Sequence, residues 1–189
     1  MVSLFDLWLP VLLAAVFVFV ASSVIHMALP LHKSDFKKLP DEEQVLAALR
    51  QHGVQPGHYM FPLANSMKEM CSPEMVAKQN QGPVGHLTVM PNGPVAMGRS
   101  LALWLVLSLV ISAFTAYVAG IGLGPGADAK TVFRLTCTVA LLGYSVTHVT
   151  DSIWKGLAWN VTAKFLFDGL IYALVTGATF AWQWPAAAM

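Results

Sequence analysis

The sequence predicts an all-α membrane protein, a four-transmembrane-helix bundle with a small α+β cytoplasmic insert between helices 1 and 2. Three observations predict it: an apolar composition, four long uncharged runs, and an uneven placement of Lys and Arg. Of 189 residues, 56% are hydrophobic and 11% charged, against roughly a quarter charged in a soluble domain. A soluble fold of this size cannot bury that much apolar surface, and a bilayer can accept it. The net charge of +1 gives none of the basic footprint that nucleic acid requires. Cys71 and Cys137 lie far apart in the chain, so neither a zinc-type pair nor a disulfide framework is implied.

The first run extends from about Leu7 to His26, with no charge between Asp6 and Lys33. That is long enough to cross a hydrocarbon core of ~30 Å as a helix. It lacks the basic leading region of a signal peptide and is expected to be retained. The others span about 100–121, 131–150 and 165–184. The expected organisation is a first transmembrane helix over 1–28, a soluble cytoplasmic insert over 29–98 and a three-helix region over 99–189. The linkers GIGLGPGADAK and DSIWKGLAWNVTAK are short, so helices 2, 3 and 4 are expected to run antiparallel as neighbours. Packing alone must place helix 1.

Of the 11 Lys and Arg residues, only Lys130 and Arg134, at the start of the third run, fall on the side of the turn between the second and third runs. The rest fall in the insert or the last hairpin, so the positive-inside rule puts the insert in the cytoplasm and both termini outside. Restricting the count to Lys33, Lys37, Lys38, Arg99, Lys155 and Lys164, close to the membrane, preserves the bias. Trp8, Trp104, Trp154, Trp159, Trp182 and Trp184 lie near run ends, where an indole prefers the headgroup level.

Within the insert, Asp41 is placed to cap a helix over 41–52, with Gln44 reaching back and Gly53 ending it. A second helix starts at Ser72 as cap, with Pro73 in its first turn and Gly82 as terminator. HYMFP (58–62) and GHLTVM (85–90) alternate as short strands able to pair across that helix.

Three groups of residues could carry function. The insert collects soft ligands: Met67, Met70, Cys71 and Met75, with His58 and His86. These suit Cu(I), although methionine is also a flexible filler of irregular cores. The second group is polar and intramembrane: His148, Asp151 and Asp168, with His26 at a similar depth. An unpaired charge inside the bilayer costs ~3 kcal/mol or more, so such a cluster suggests a proton relay or small-solute gate. The simpler alternative is ion pairing, because Asp151 has Lys155 and Asp168 has Lys164 four residues away. The third group is two ladders of small residues, Ser108, Ser112, Ala116 and Gly120 on helix 2 and Gly169, Ala173, Gly177 and Ala181 on helix 4. Small residues at every fourth position let membrane helices approach closely, inside one bundle or between subunits.

No nucleophile elbow, zincin or phosphate-loop motif is present. The sequence therefore reads first as a non-enzymatic membrane protein, a homo-oligomer or an accessory subunit of a membrane complex. A small transporter or channel using the His/Asp cluster is the alternative, and copper handling by the insert a third reading. The C-terminal stretch with Trp154, Gly156, Trp159, Gly177 and Trp182 resembles a family of small bacterial four-helix membrane proteins of unknown function. That resemblance implies a bacterial inner membrane and lends no activity.

Overall fold

The computed structural model describes residues 1–187; the last two positions of the region assigned to 99–189 lie outside the described residues. The chain forms two compact units, one comprising Met1–Asp35 and the chain from Ala96 onward, the other Phe36–Val95.

The first unit contains four helical stretches long and apolar enough to cross a membrane: Leu4–Ala28, Met97–Gly122, Ala129–Lys155 and Trp159–Gln183. The first is a composite. A 3-10 turn at Leu4–Leu7, capped by Ser3, leads into α1 (Trp8–Ser23), which ends in a π turn at Val24–Ala28. After Leu29, Pro30 opens another 3-10 turn, Pro30–His32. Proline removes a backbone donor and favours an extended residue before it, which stops the helix there. Leu29 is extended accordingly. The segment 29–35, assigned from sequence to the insert, lies in the membrane unit.

α5 (Met97–Gly122) and α6 (Ala129–Tyr144) follow the insert, and Asp128 caps α6 by accepting from the Thr131 amide at 3.1 Å. The third span then bends through a 3-10 turn, Val146–His148, into α7 (Val149–Lys155), which Gly156 ends with φ 68°. α8 (Trp159–Gln183) starts earlier than the apolar run predicts. Asp168 therefore lies about 13 Å along that helix, at 1.5 Å per residue, instead of within its first turn.

The ladders are consumed inside this unit, each by a different neighbour. α1 packs against α5 and α8, and α6 packs chiefly against α8. Ser108, Ser112, Ala116 and Gly120 are buried, with Ala116 in a core cluster shared with Leu7 and Ala14. The Val2 amide donates to the Gly120 carbonyl at 3.0 Å. Gly169, Ala173 and Gly177 are buried as well, while Ala181 is half-buried. Side chains on Gly169 and Gly177 would meet Ser145 and Cys137 respectively. Hydroxyls of Ser108, Thr115, Thr136, Thr176 and Thr179 donate to carbonyls four residues back on their own helices. Polar groups can thus be buried without partners on other helices.

In the second unit, β1 (Gly57–Phe61) pairs antiparallel with β2 (Gly85–Val89), the pairing expected from the alternation. Between them lie α3 (Met67–Met70) and α4 (Pro73–Gln81), and α4 has the expected Ser72 cap and Gly82 terminator. α2 spans Glu42–Gln51, but Asp41 does not cap it through its side chain. Its φ of 45° is left-handed, unlike the extended backbone from which a cap residue reaches the first-turn amides. Asp tolerates that conformation better than most residues.

Candidate functional site

The site is built where α1 ends, and the irregular end of that helix is what forms it. Ser22 and Ser23 each donate to the Phe19 carbonyl, at 2.9 and 2.8 Å, back-bonding that bends helices. The π turn then offers His26, at the kind of bulge frequently used for function. Trp104 of α5 donates its indole N–H to Ser22 at 2.8 Å, and its ring packs with those of Tyr144 and Tyr172 at centroid separations of 5.6 to 6.0 Å. These aromatics wall a pocket of 540 Å³, closed elsewhere by Leu101 and Phe165, onto which His26, His148 and Asp168 open.

Along the polar wall, titratable groups form a continuous chain. The Tyr172 hydroxyl lies 3.4 Å from His26 Nε2, and His26 Nε2 lies 3.7 Å from Asp168 Oδ2. Asp168 Oδ2 is 2.9 Å from His32 Nε2, and His32 Nδ1 is 2.6 Å from Asp35 Oδ2. Lys164 closes the chain, donating to Asp35 Oδ1 at 2.6 Å and to the Ser34 hydroxyl at 2.9 Å. Burial pushes the Asp35 carboxyl up, but hydrogen bonds from Lys164 and His32 outweigh it and hold the group below the usual carboxylate range.

The structure therefore brings together two of the four intramembrane residues singled out from sequence, His26 and Asp168, and adds His32 and Asp35. His148 lines the same pocket and stacks on Phe165 at 5.0 Å. Asp151 stands apart, paired with Lys155 at 2.6 Å as its four-residue spacing suggests. Asp168 departs from that rule: Lys164 turns to Asp35, and the imidazoles of His26 and His32 take its place beside Asp168. The reason is the turn at Pro30, which returns Ser34 and Asp35 to Lys164. The LHKSD segment carried a signal, since three ionisable residues, His32, Lys33 and Asp35, follow closely on the end of a span.

The insert's soft ligands are spread over separate elements. Met67 and Met70 lie on α3, exposed Cys71 follows them, and Met75 is buried on α4. His58 on β1 contacts Thr88 at 3.1 Å, while His86 stands opposite Met60. Among the described residues, His26, His32 and Asp168 are the group of His, Cys, Asp or Glu placed to share a metal ion, with ligand atoms all within 4.8 Å of one another.

Comparison with protein-family models, with curated proteins and with solved structures finds no match for this chain.

Proposed function

We propose that this multi-pass membrane protein binds a small lipophilic molecule with a polar head, held in the pocket between α1, α5 and α8 with the head against His26 and Asp168. The carrying observation is the pocket itself. At 540 Å³ it falls within the range of small-molecule sites, about 300–1,000 Å³, and far exceeds the needs of a bare ion. Its predominantly apolar surface suits a ligand that arrives from the bilayer, and His26 and Asp168 offer polar groups to orient a head, the usual division between affinity and orientation. This belongs with the small-solute reading of the His/Asp cluster and makes the protein a carrier or receptor for such a molecule.

Native mass spectrometry of protein released from membrane into mild detergent tests the reading, compared with Ser100→Trp, which places a bulky ring in the pocket. A small molecule retained by the wild type and lost from the variant supports it. Identical spectra, with nothing released from either, sink it.

Assembly as a homo-oligomer or accessory subunit would have to use surfaces other than the two ladders, whose residues are buried or half-buried within the unit. The exposed Phe114 and Tyr117 of α5 are such a surface, and the same spectra report stoichiometry. For placement we favour a bacterial inner membrane, with both termini outside and the insert cytoplasmic. The Lys and Arg distribution and the resemblance of the C-terminal hairpin support it.

A further inference from the structure

We infer that His26, His32 and Asp168 form a binding site for a divalent first-row transition-metal ion, with Asp35 as the residue that orients His32. The argument begins with the Asp35 contact. An ionised carboxylate can only accept, so the 2.6 Å approach of Asp35 Oδ2 to His32 Nδ1 places the ring proton on Nδ1. In the neutral ring the other nitrogen, Nε2, then carries the lone pair that a metal ligand needs. It faces Asp168 Oδ2 at 2.9 Å, which as a carboxylate also presents only lone pairs. Two such atoms repel unless a cation lies between them.

A proton on Nε2 would remove the repulsion if it pointed at the carboxylate. The alignment for that is poor: His32 Nε2 and both Asp168 oxygens are buried and, at 2.9 Å for the nearest pair, meet no hydrogen-bond geometry. Asp168 is 2% exposed. Buried groups of this kind are rare because each unsatisfied one is costly. Three such groups with their ligand atoms all within 4.8 Å of one another are spaced as the ligands of one ion are.

The spacing agrees. Ligand bonds of ~2.0–2.1 Å in tetrahedral geometry put donor atoms about 3.3 Å apart. The two measured separations, 2.9 Å from His32 and 3.7 Å from His26, bracket that value. Two imidazoles and one carboxylate are a borderline set that suits Zn²⁺, Fe²⁺, Co²⁺ or Mn²⁺ better than Ca²⁺ or Mg²⁺, which prefer all-oxygen cages. The Asp35–His32 contact is the carboxylate–histidine pair that fixes tautomer and ring direction at metal sites, and Lys164 anchors that carboxylate in turn. Three protein ligands leave a coordination position open, and His26, 43% exposed at its side chain, borders the pocket.

The test uses the full chain in detergent, stripped with a chelator and then equilibrated separately with Zn²⁺ and Co²⁺. One Zn²⁺ per chain by elemental analysis is expected, together with visible Co²⁺ ligand-field bands of a nitrogen- and oxygen-ligated ion. His32→Ala and Asp168→Asn should abolish both. Asp35→Asn should weaken binding by about 10–100-fold while stoichiometry is still reached at high metal. Asp151→Asn and His86→Ala should change nothing. Because a ligand variant can also misfold, the wild-type Co²⁺ spectrum stands as an independent readout. A wild type that binds neither ion overturns the inference, as does binding that survives His32→Ala and Asp168→Asn. Unchanged affinity in Asp35→Asn overturns the role given to Asp35. The inference stands apart from the pocket reading: metal binding without a retained small molecule refutes only the latter, and the reverse result refutes only the former.

Discussion

Lys164 donates to Asp35 at 2.6 Å across 129 residues of sequence, in preference to Asp168 four residues further along its own helix. Both partners are well shielded, with Asp35 5% and Lys164 17% exposed. The pair ties the turn after α1 to α8, and so holds His32 over Asp168. Removing only the cation leaves a buried carboxylate uncompensated, which costs about 3 kcal/mol or more. Lys164→Met should therefore lower the thermal midpoint of the detergent-solubilised protein markedly. Lys164→Met combined with Asp35→Asn should recover much of the loss, because the carboxylate that lost its cation is then removed as well. A double variant as unstable as the sum of the two singles would show that the pair does not act as a unit.

The same pair shows why the spans were legible in the sequence and half the polar site was not. Long uncharged runs mark spans unambiguously, since each must satisfy its backbone within one helix, and the four helices lie where those runs lie. The insert's strands and the Ser72 cap follow equally local rules. The site depends on the chain's path after Leu29. Assigning 29–98 to a soluble insert separated His32 and Asp35 from the membrane helices. Spacing on α8 pointed Lys164 to Asp168. Both errors come from one event, the reversal at Pro30, which brings distant residues together and leaves no periodic trace.

The α6–α8 contact is closed by glycine, and it should resist any side chain there. A Cβ on Gly177 would lie 2.9 Å from the Cys137 Cβ, closer than real Cβ contacts come, and 3.1 Å from the Phe133 ring, which would have to give way. Overpacking of this kind costs typically ~1–3 kcal/mol. Gly177→Val should lower the thermal midpoint in detergent, whereas Gly122→Ala, whose nearest neighbour is the flexible Leu135 side chain at 3.9 Å, should not. Equal midpoints for the two variants would argue that α8 does not sit against α6 at Gly177.

α4 depends on one hydroxyl for its start. Ser72 accepts from the Met75 amide at 3.2 Å, and Pro73 in the first turn needs no donor satisfied. Loss of such a cap costs ~1 kcal/mol, so Ser72→Ala should accelerate exchange of the first-turn amides of α4 by about fivefold. Amides of β1 and β2 measured in the same sample provide the comparison. Uniform acceleration across the whole insert would mean that the cap holds the unit together instead of one helix end.

Sidedness can be read at Cys71, which is exposed in the insert, while Cys137 is half-buried in α6. In a Cys137→Ala background, a membrane-impermeant maleimide reports on Cys71 alone. On the positive-inside rule the excess of Lys and Arg beside the spans that flank the insert predicts a cytoplasmic insert, and on that proposal labelling should appear only after the cells are permeabilised. Labelling of intact cells would reverse the orientation. The consequence reaches the metal ligands, because His26 and His32 lie at the end of α1 from which the chain leaves for the insert. With the insert inside, the ion they hold would be supplied by the buffered cytoplasmic pool, where a His₂Asp site must compete with other ligands to fill. With the insert outside, the same three residues would face a compartment where metal supply varies with the surroundings, and their occupancy would follow it.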